Sequence, residues 1–186
     1  LAITRTGGTN IGDLLLGSNA VKLALAEVDS PSDAVGVGQR QERYSVWAEE
    51  ALAGEEPGSS PGGEQPKFTS TIITPTGRRA ALVKFAQRDG ERTTARWADL
   101  LVCEHLALQT LADHDIAAAE SELVEAERHL CLEVRRFDRT PDCLGRRGFV
   151  SLQVLDAAFV GSGERDWGVL GEQLARLGWI APDTAR

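Results

Sequence analysis

Two runs of residues either side of "PTG" constrain this chain more than any other feature. In "KFTSTIITPTGRRAALVKFA", Phe68, Ser70 and Ile72 alternate with Thr69, Thr71 and Ile73. Pro75-Thr76-Gly77 supplies a turn, and Ala80 to Phe85 supplies a returning apolar strand. A period of two on both sides of a turn signal predicts an antiparallel β-hairpin. Its second strand carries Lys84 between Val83 and Phe85, so strict alternation sends the lysine to the opposite face from its neighbours. An outward lysine on a strand is ordinarily a solvated side chain.

What flanks the hairpin gives Lys84 a context. Downstream, Trp97, Leu101, Leu108 and Leu111 recur at helical spacing, predicting a long helix over 94–111 with Thr93 or Thr94 as its cap. Glu104 and His105 lie on that helix. Upstream, "GEEPGSSPGGEQPKFTS" (54–70) holds four glycines and three prolines in seventeen positions. That composition alone reads as a linker. Leading straight into a lysine-bearing hairpin, it also reads as a phosphate-covering loop. Gly62 and Gly63 leave backbone N–H groups open to an anion, Lys84 adds a point charge, and Glu104 can hold the lysine. The stretch is neither GxxxxGK[ST] nor GxGxxG.

The remaining elements follow the same logic. Ile11 to Leu16 reads as a short strand, and 44–54 as a short helix with Tyr44, Trp47, Ala51 and Leu52 on one side and Gly54 as its stop. Residues 120–138 read as a second hairpin, with Leu130, Leu132 and Val134 facing one way and Cys131, Glu133 and Arg135 the other. Residues 141–148 form a loop, 149–160 an apolar segment of helix or strand, and 166–177 a last helix stopped by Gly178. The expected class is α+β: an antiparallel sheet with one long packing helix, preceded by a small strand-rich subdomain. Boundaries are expected at 1–53, 54–140 and 141–186, the last opening a mostly helical region.

Composition excludes some functions. Of 186 residues, 42% are apolar, enough for a core. A net charge of −8 gives no general attraction to nucleic acid or anionic membrane. Five arginines between 135 and 147 form a local basic patch without aromatic interleaving or a recognition-helix pattern, which ranks direct DNA contact low. Without a signal peptide or long apolar run, the expectation is a cytoplasmic protein with no membrane contact. Cys103, Cys131 and Cys143 form no CxxC pair and are expected as reduced thiols. The chain contains no methionine, even at residue 1, which fits a segment of a longer protein.

"SSPGGEQPKF" (59–68), "ALVKF" (81–85), Glu104 and "LEVRRFDR" (132–139), in that order, resemble the N-terminal lobe of the HipA-type serine/threonine kinases, toxins of bacterial type II toxin–antitoxin systems. "GDLLLGSNA" is similar to the subdomain that precedes the kinase core in that family. The resemblance implies a protein-kinase-like N-terminal lobe using ATP and Mg. Ser60 to Lys67 would cover the phosphates, with backbone contacts at Gly62 and Gly63 and support from Gln65 and Lys67. Ser60 matches a loop serine that some relatives phosphorylate on themselves. Lys84 would bind the α- and β-phosphates, Glu104 would orient it, and Arg135 to Phe137 would form the hinge reading adenine. Asp138 and Arg139 would fix the hinge. Pro61 and Pro66 depart from a loop that must move.

The resemblance also implies a general base and Mg-binding aspartate that this reading does not find. Asp156 and Asp166 sit in the wrong surroundings, so no catalytic residue and no metal ligand is named. The expectation is therefore a kinase lobe whose C-terminal catalytic lobe is not represented, inactive by itself. The alternative is a catalytically inactive regulatory protein of a toxin–antitoxin system. Implied partners are ATP, a protein substrate with a target serine, a cognate antitoxin, and DNA only indirectly or through an outlying domain.

Overall fold

The computed structural model describes residues 11–53 and 65–182. The chain forms two compact units, 1–147 and 148–186. In the first, helix α1 (Ser18–Asp29) leads into a short strand β1 (Ala34–Gly36), a 3-10 turn (Val37–Gln39) and helix α2 (Arg40–Ala53). Strands β2 (Lys67–Thr74) and β3 (Gly77–Gln87) form the first hairpin, helix α3 (Arg92–Asp113) follows, and β4 (Ser121–Ala126) and β5 (His129–Arg135) form the second. The sheet order is β1-β2-β3-β5-β4, with β1 parallel to β2 and the other pairs antiparallel.

The first hairpin closes on Thr74 opposite Gly77, leaving Pro75 and Thr76 as a two-residue loop. Gly77 has φ 141°, which side chains rarely adopt, so the glycine of "PTG" is used for its backbone. Lys67 faces Lys84 across this hairpin, and Leu82 faces both Thr69 and, on the other side, Val134.

Alternation divides the sheet into two faces. On one, α2 lays Tyr44, Trp47 and Ala48 over Phe68, Ile72, Val83, Phe85 and Cys131. The rings of Tyr44 and Trp47 meet Phe68 edge-on, with centroids 5.3 and 5.6 Å away. Each such buried side chain contributes about 1.5–3 kcal/mol by leaving water. On the other face, α3 packs Leu101 on Ala86, Leu130 and Leu132, with Ala98 and Val102 at its margin.

Three expectations need correction. The sheet is mixed rather than antiparallel, because β1 joins the β2 edge in parallel register. The described residues before the hairpin are not strand-rich: 11–16 form bends and irregular chain, and α1 and α2 dominate. Leu14 and Leu16 are exposed and find no sheet to pair with, so an apolar run alone did not make a strand. On α3, Trp97 and Leu111 are exposed; only Leu101 of the predicted stripe is fully buried.

The second unit comprises a short helix α4 (Leu152–Leu155) running into a π turn (Asp156–Val160), then α5 (Trp167–Arg176). Phe159 stacks on Trp179 at 3.7 Å. The described cysteines are free: Cys131 buried, Cys143 half-buried, Cys103 exposed. No helix among the described residues is long and apolar enough to cross a membrane.

Candidate functional site

The site begins with the packing of Leu101. Anchoring that residue in the core fixes the rotation of α3, and Glu104, one turn later, then faces β3. Lys84 rises from the same sheet face, between Leu82 and Ala86. Its Nζ donates to both carboxylate oxygens of Glu104, at 2.6 and 2.7 Å. Both side chains remain partly exposed, so the pair is reachable from solvent.

Lys67 is directly opposite Lys84 on β2. Partial burial, and then repulsion by the Lys84 ammonium, hold Lys67 below the usual lysine range. The Lys84 ammonium thus has a second ammonium as its cross-strand neighbour.

Beside this pair lies a largely apolar cavity of about 210 Å³. Leu82 and Val134, paired across β3 and β5, form its floor, and Leu108, Ala119, Phe137 and Glu104 line its walls. The chain leaves β5 along this cavity: Arg136 N–H donates to the Ala80 carbonyl at 2.9 Å, which ties residues 135–138 to the sheet edge. The Arg135 side chain turns away to Glu120 at 2.9 Å. Phe137 is exposed at the cavity rim.

Asp138 anchors this segment. Its buried carboxylate accepts from the Gly12 N–H at 2.8 Å, from Arg136 at 2.8 and 2.9 Å, and from Arg139 at 2.9 Å. Burial alone would raise its pKa. The Arg136 hydrogen bonds, the Gly12 N–H and the charges of Arg136 and Arg139 outweigh that and hold it at about 2. This is a buried network rather than a surface ion pair.

Of the residues singled out in the sequence, Lys67, Lys84 and Glu104 are brought to one face of the sheet and Phe137 to its edge, while Arg135 borders the cavity with its side chain paired to Glu120. Gln65 lies just before β2, with its Nε2 buried and unpartnered. Ser60, Gly62 and Gly63 lie outside the described residues. His105 is half-buried, its Nδ1 2.9 Å from Ser121 Oγ. Asp156 is occupied locally by Ser162 and Gly163, and Asp166 caps α5 through the N–H groups of Gly168 and Val169. Sequence reading missed the apolar lining of Leu82, Leu108, Ala119 and Val134. The alternation that placed Lys84 also places Leu82 beside it, which was the available signal.

These features define a mixed-sheet α+β domain with a helix-held lysine at the mouth of an apolar cleft. The family described as HipA-like C-terminal domain matches residues 59–165, and the chain belongs to that family. It is similar to Toxin YjjJ of Escherichia coli (strain K12), 38% identical over 165 residues. The alignment covers 87% of this chain and 36% of that relative, so the chain spans about a third of the relative's length. No solved structure matches.

The match corrects the sequence reading. The segment holding the glycine-rich stretch, Lys84, Glu104 and the 135–139 motif is itself the HipA-like C-terminal domain. It is not an N-terminal lobe from which the C-terminal one is missing, and the inference that the segment is inactive because that lobe is absent falls with it. A strand lysine held by a helix glutamate is a phosphate-gripping arrangement of protein kinases. It identified a type of site without fixing which part of the family's architecture carries it.

Proposed function

We propose that the domain binds ATP, with Mg, as the nucleotide-binding part of a HipA-type serine/threonine protein kinase. The observation that carries this reading is the two-pronged Lys84–Glu104 pair beside an apolar cavity, with Lys67 directly across the hairpin. A purine needs an apolar slot with backbone groups along one edge. Leu82, Val134 and Phe137 supply the first, and residues 135–138 the second. Phosphates need fixed cations, and Glu104 keeps Lys84 extended at the cavity mouth instead of folded over it. Ser60, Gly62, Gly63 and Gln65 would complete the phosphate cover.

Mg would neutralise charge on the phosphate oxygens. Among the described residues no cluster of three His, Cys, Asp or Glu side chains is poised for a metal, so no protein ligand is assigned to it. The relative is named a toxin, which supports a toxin role; a cognate antitoxin and a serine-bearing protein substrate are the partners that the kinase reading calls for.

The test is calorimetric titration with Mg-ATP on this chain. Lys84→Ala should weaken binding at least tenfold while leaving the melting curve in place. Unchanged affinity in that variant would sink the assignment. Transfer of the γ-phosphoryl group to protein by the full-length molecule, lost with the same substitution, tests the kinase half of the reading.

A further inference from the structure

One wall of the cavity beside Lys84 comes from the start of the described chain. Ile11 lines it along with Leu82, Leu108, Val134 and Phe137. Residues 11–13 form a bend outside any helix or strand, so no ladder of hydrogen bonds explains where they sit. Their anchor is Gly12. Its N–H donates to the buried Asp138 carboxylate at 2.8 Å, across 126 positions of sequence. Its carbonyl accepts from Arg146 at 3.3 Å and from Arg139 at 3.5 Å. Asp13 adds an attraction to the Arg146 guanidinium. Gly12 has φ 76°, a conformation that side chains rarely adopt, so the clasp is built on a residue without one.

Every group in that clasp is polar, yet the side chain it delivers is apolar. Ile11 keeps 46% of its surface in water while lining an apolar space. The Asp138 carboxylate that holds Gly12 also binds Arg136, and so holds the 135–138 segment along the cavity edge. One buried group therefore sets the position of Ile11 relative to that edge. A flat apolar ligand entering the slot would cover the exposed part of Ile11, and that hydrophobic gain exists only with the ligand bound.

We propose that Ile11 is a base-contacting residue of the nucleotide cleft, and that the Gly12–Asp138 clasp positions it there. The inference rests on the nucleotide reading of the Lys84 cleft and adds to it a wall supplied by the segment 11–13. Ile11 meets the base and Lys84 meets the phosphates, so the two act on separate parts of one ligand. Ligand contact and clasp closure are linked, so a bound nucleotide also holds the clasp shut, by the reciprocity of coupled equilibria.

The experiment is calorimetric titration of this chain with Mg-ATP and, separately, with Mg-tripolyphosphate, which carries the charges without the base. Ile11→Ala should weaken Mg-ATP about fivefold, the loss expected for a half-exposed aliphatic contact, and leave tripolyphosphate unchanged. Ile11→Leu, of similar volume, should restore ATP affinity, and Lys84→Ala should weaken both ligands. Amide exchange gives a second reading: Mg-ATP should slow exchange at the Gly12 N–H by about threefold or more, and by less in Ile11→Ala. An Ile11→Ala chain that binds Mg-ATP as the wild type does, or that loses tripolyphosphate affinity to the same extent, overturns this proposal and leaves the nucleotide reading standing. An unchanged Gly12 exchange rate on binding Mg-ATP would likewise overturn it. A wild-type chain without Mg-ATP affinity overturns both.

Discussion

The two faces of one sheet are built to different specifications. Under α2 the sheet is sealed: Tyr44, Phe68, Phe85 and Val83 are almost wholly buried, and Tyr44, Arg40 and Arg79 are all tied to Glu133. Glu133 accepts from Tyr44 at 2.8 Å, from Arg40 at 2.9 Å and from Arg79, while Arg40 also bridges to Glu122 at 2.8 Å. Under α3 the fully buried contacts are fewer and smaller, and the face opens into the Leu82–Val134 cavity with Lys84 and Glu104 at its mouth. Strands that must be rigid for one face thereby hold a partly hydrated ion pair steady on the other. Stability and candidate chemistry are divided by a period-two alternation, one residue apart along β3.

The division is broken most severely from the sealed side. Phe68→Ala removes the ring on which Tyr44, Trp47 and Phe85 converge, and should cost about 3–5 kcal/mol in urea denaturation. A loss below about 1 kcal/mol would mean that α2 does not depend on this face. Glu133→Gln is the next largest. It leaves Arg40 and Arg79 facing a neutral group in a buried site, and should cost about 1.5–3 kcal/mol, the range for hydrogen bonds to charged groups. Pairing it with Arg40→Met should recover part of that loss, since removing both partners avoids an uncompensated charge.

An intermediate effect tests the edge between the faces. Asp138 titrates at about 2 in the folded chain, below its ordinary value near 3.8. A depressed carboxylate stabilises the fold above its unfolded pKa, and that contribution disappears as pH falls from about 4 through 2. The linkage amounts to about 2 kcal/mol. Urea midpoints measured between pH 5 and 2 should therefore fall, and Asp138→Asn should be less stable at pH 5 and show a flatter acid limb. An acid limb of equal steepness in both proteins would remove Asp138 from the account.

Much of this architecture was legible in the residues. The hairpin register could be read because "PTG" fixes the turn and alternation fixes the faces; the structure pairs Lys67 with Lys84 and Thr74 with Gly77. The long helix was legible, but its stripe was overcounted, since helical spacing states which residues share a side and not how far a neighbour covers them. Trp97 stays exposed for that reason. The parallel β1 was invisible because three residues carry no periodicity, and its pairing is decided by Val35 entering the core beside Ile72. Asp138 was legible as a partner of its neighbour Arg139, but its buried bond to the Gly12 N–H was not, because that residue lies 126 positions away.

The smallest expected change in stability belongs to the open face, and it sharpens the comparison most. Lys84 is partly exposed and Glu104 more so, and solvent screens such a pair, so Lys84→Ala should alter folding free energy by less than about 1 kcal/mol. Relief of the repulsion that depresses Lys67 should offset part even of that. The decisive measurement is therefore a pair of readings on one variant, urea midpoint and Mg-ATP affinity. A nearly unchanged midpoint with affinity reduced at least tenfold means that the lysine is kept for a ligand. A midpoint falling as far as in Phe68→Ala would instead make Lys84 part of the scaffold, and the two faces would no longer differ in kind.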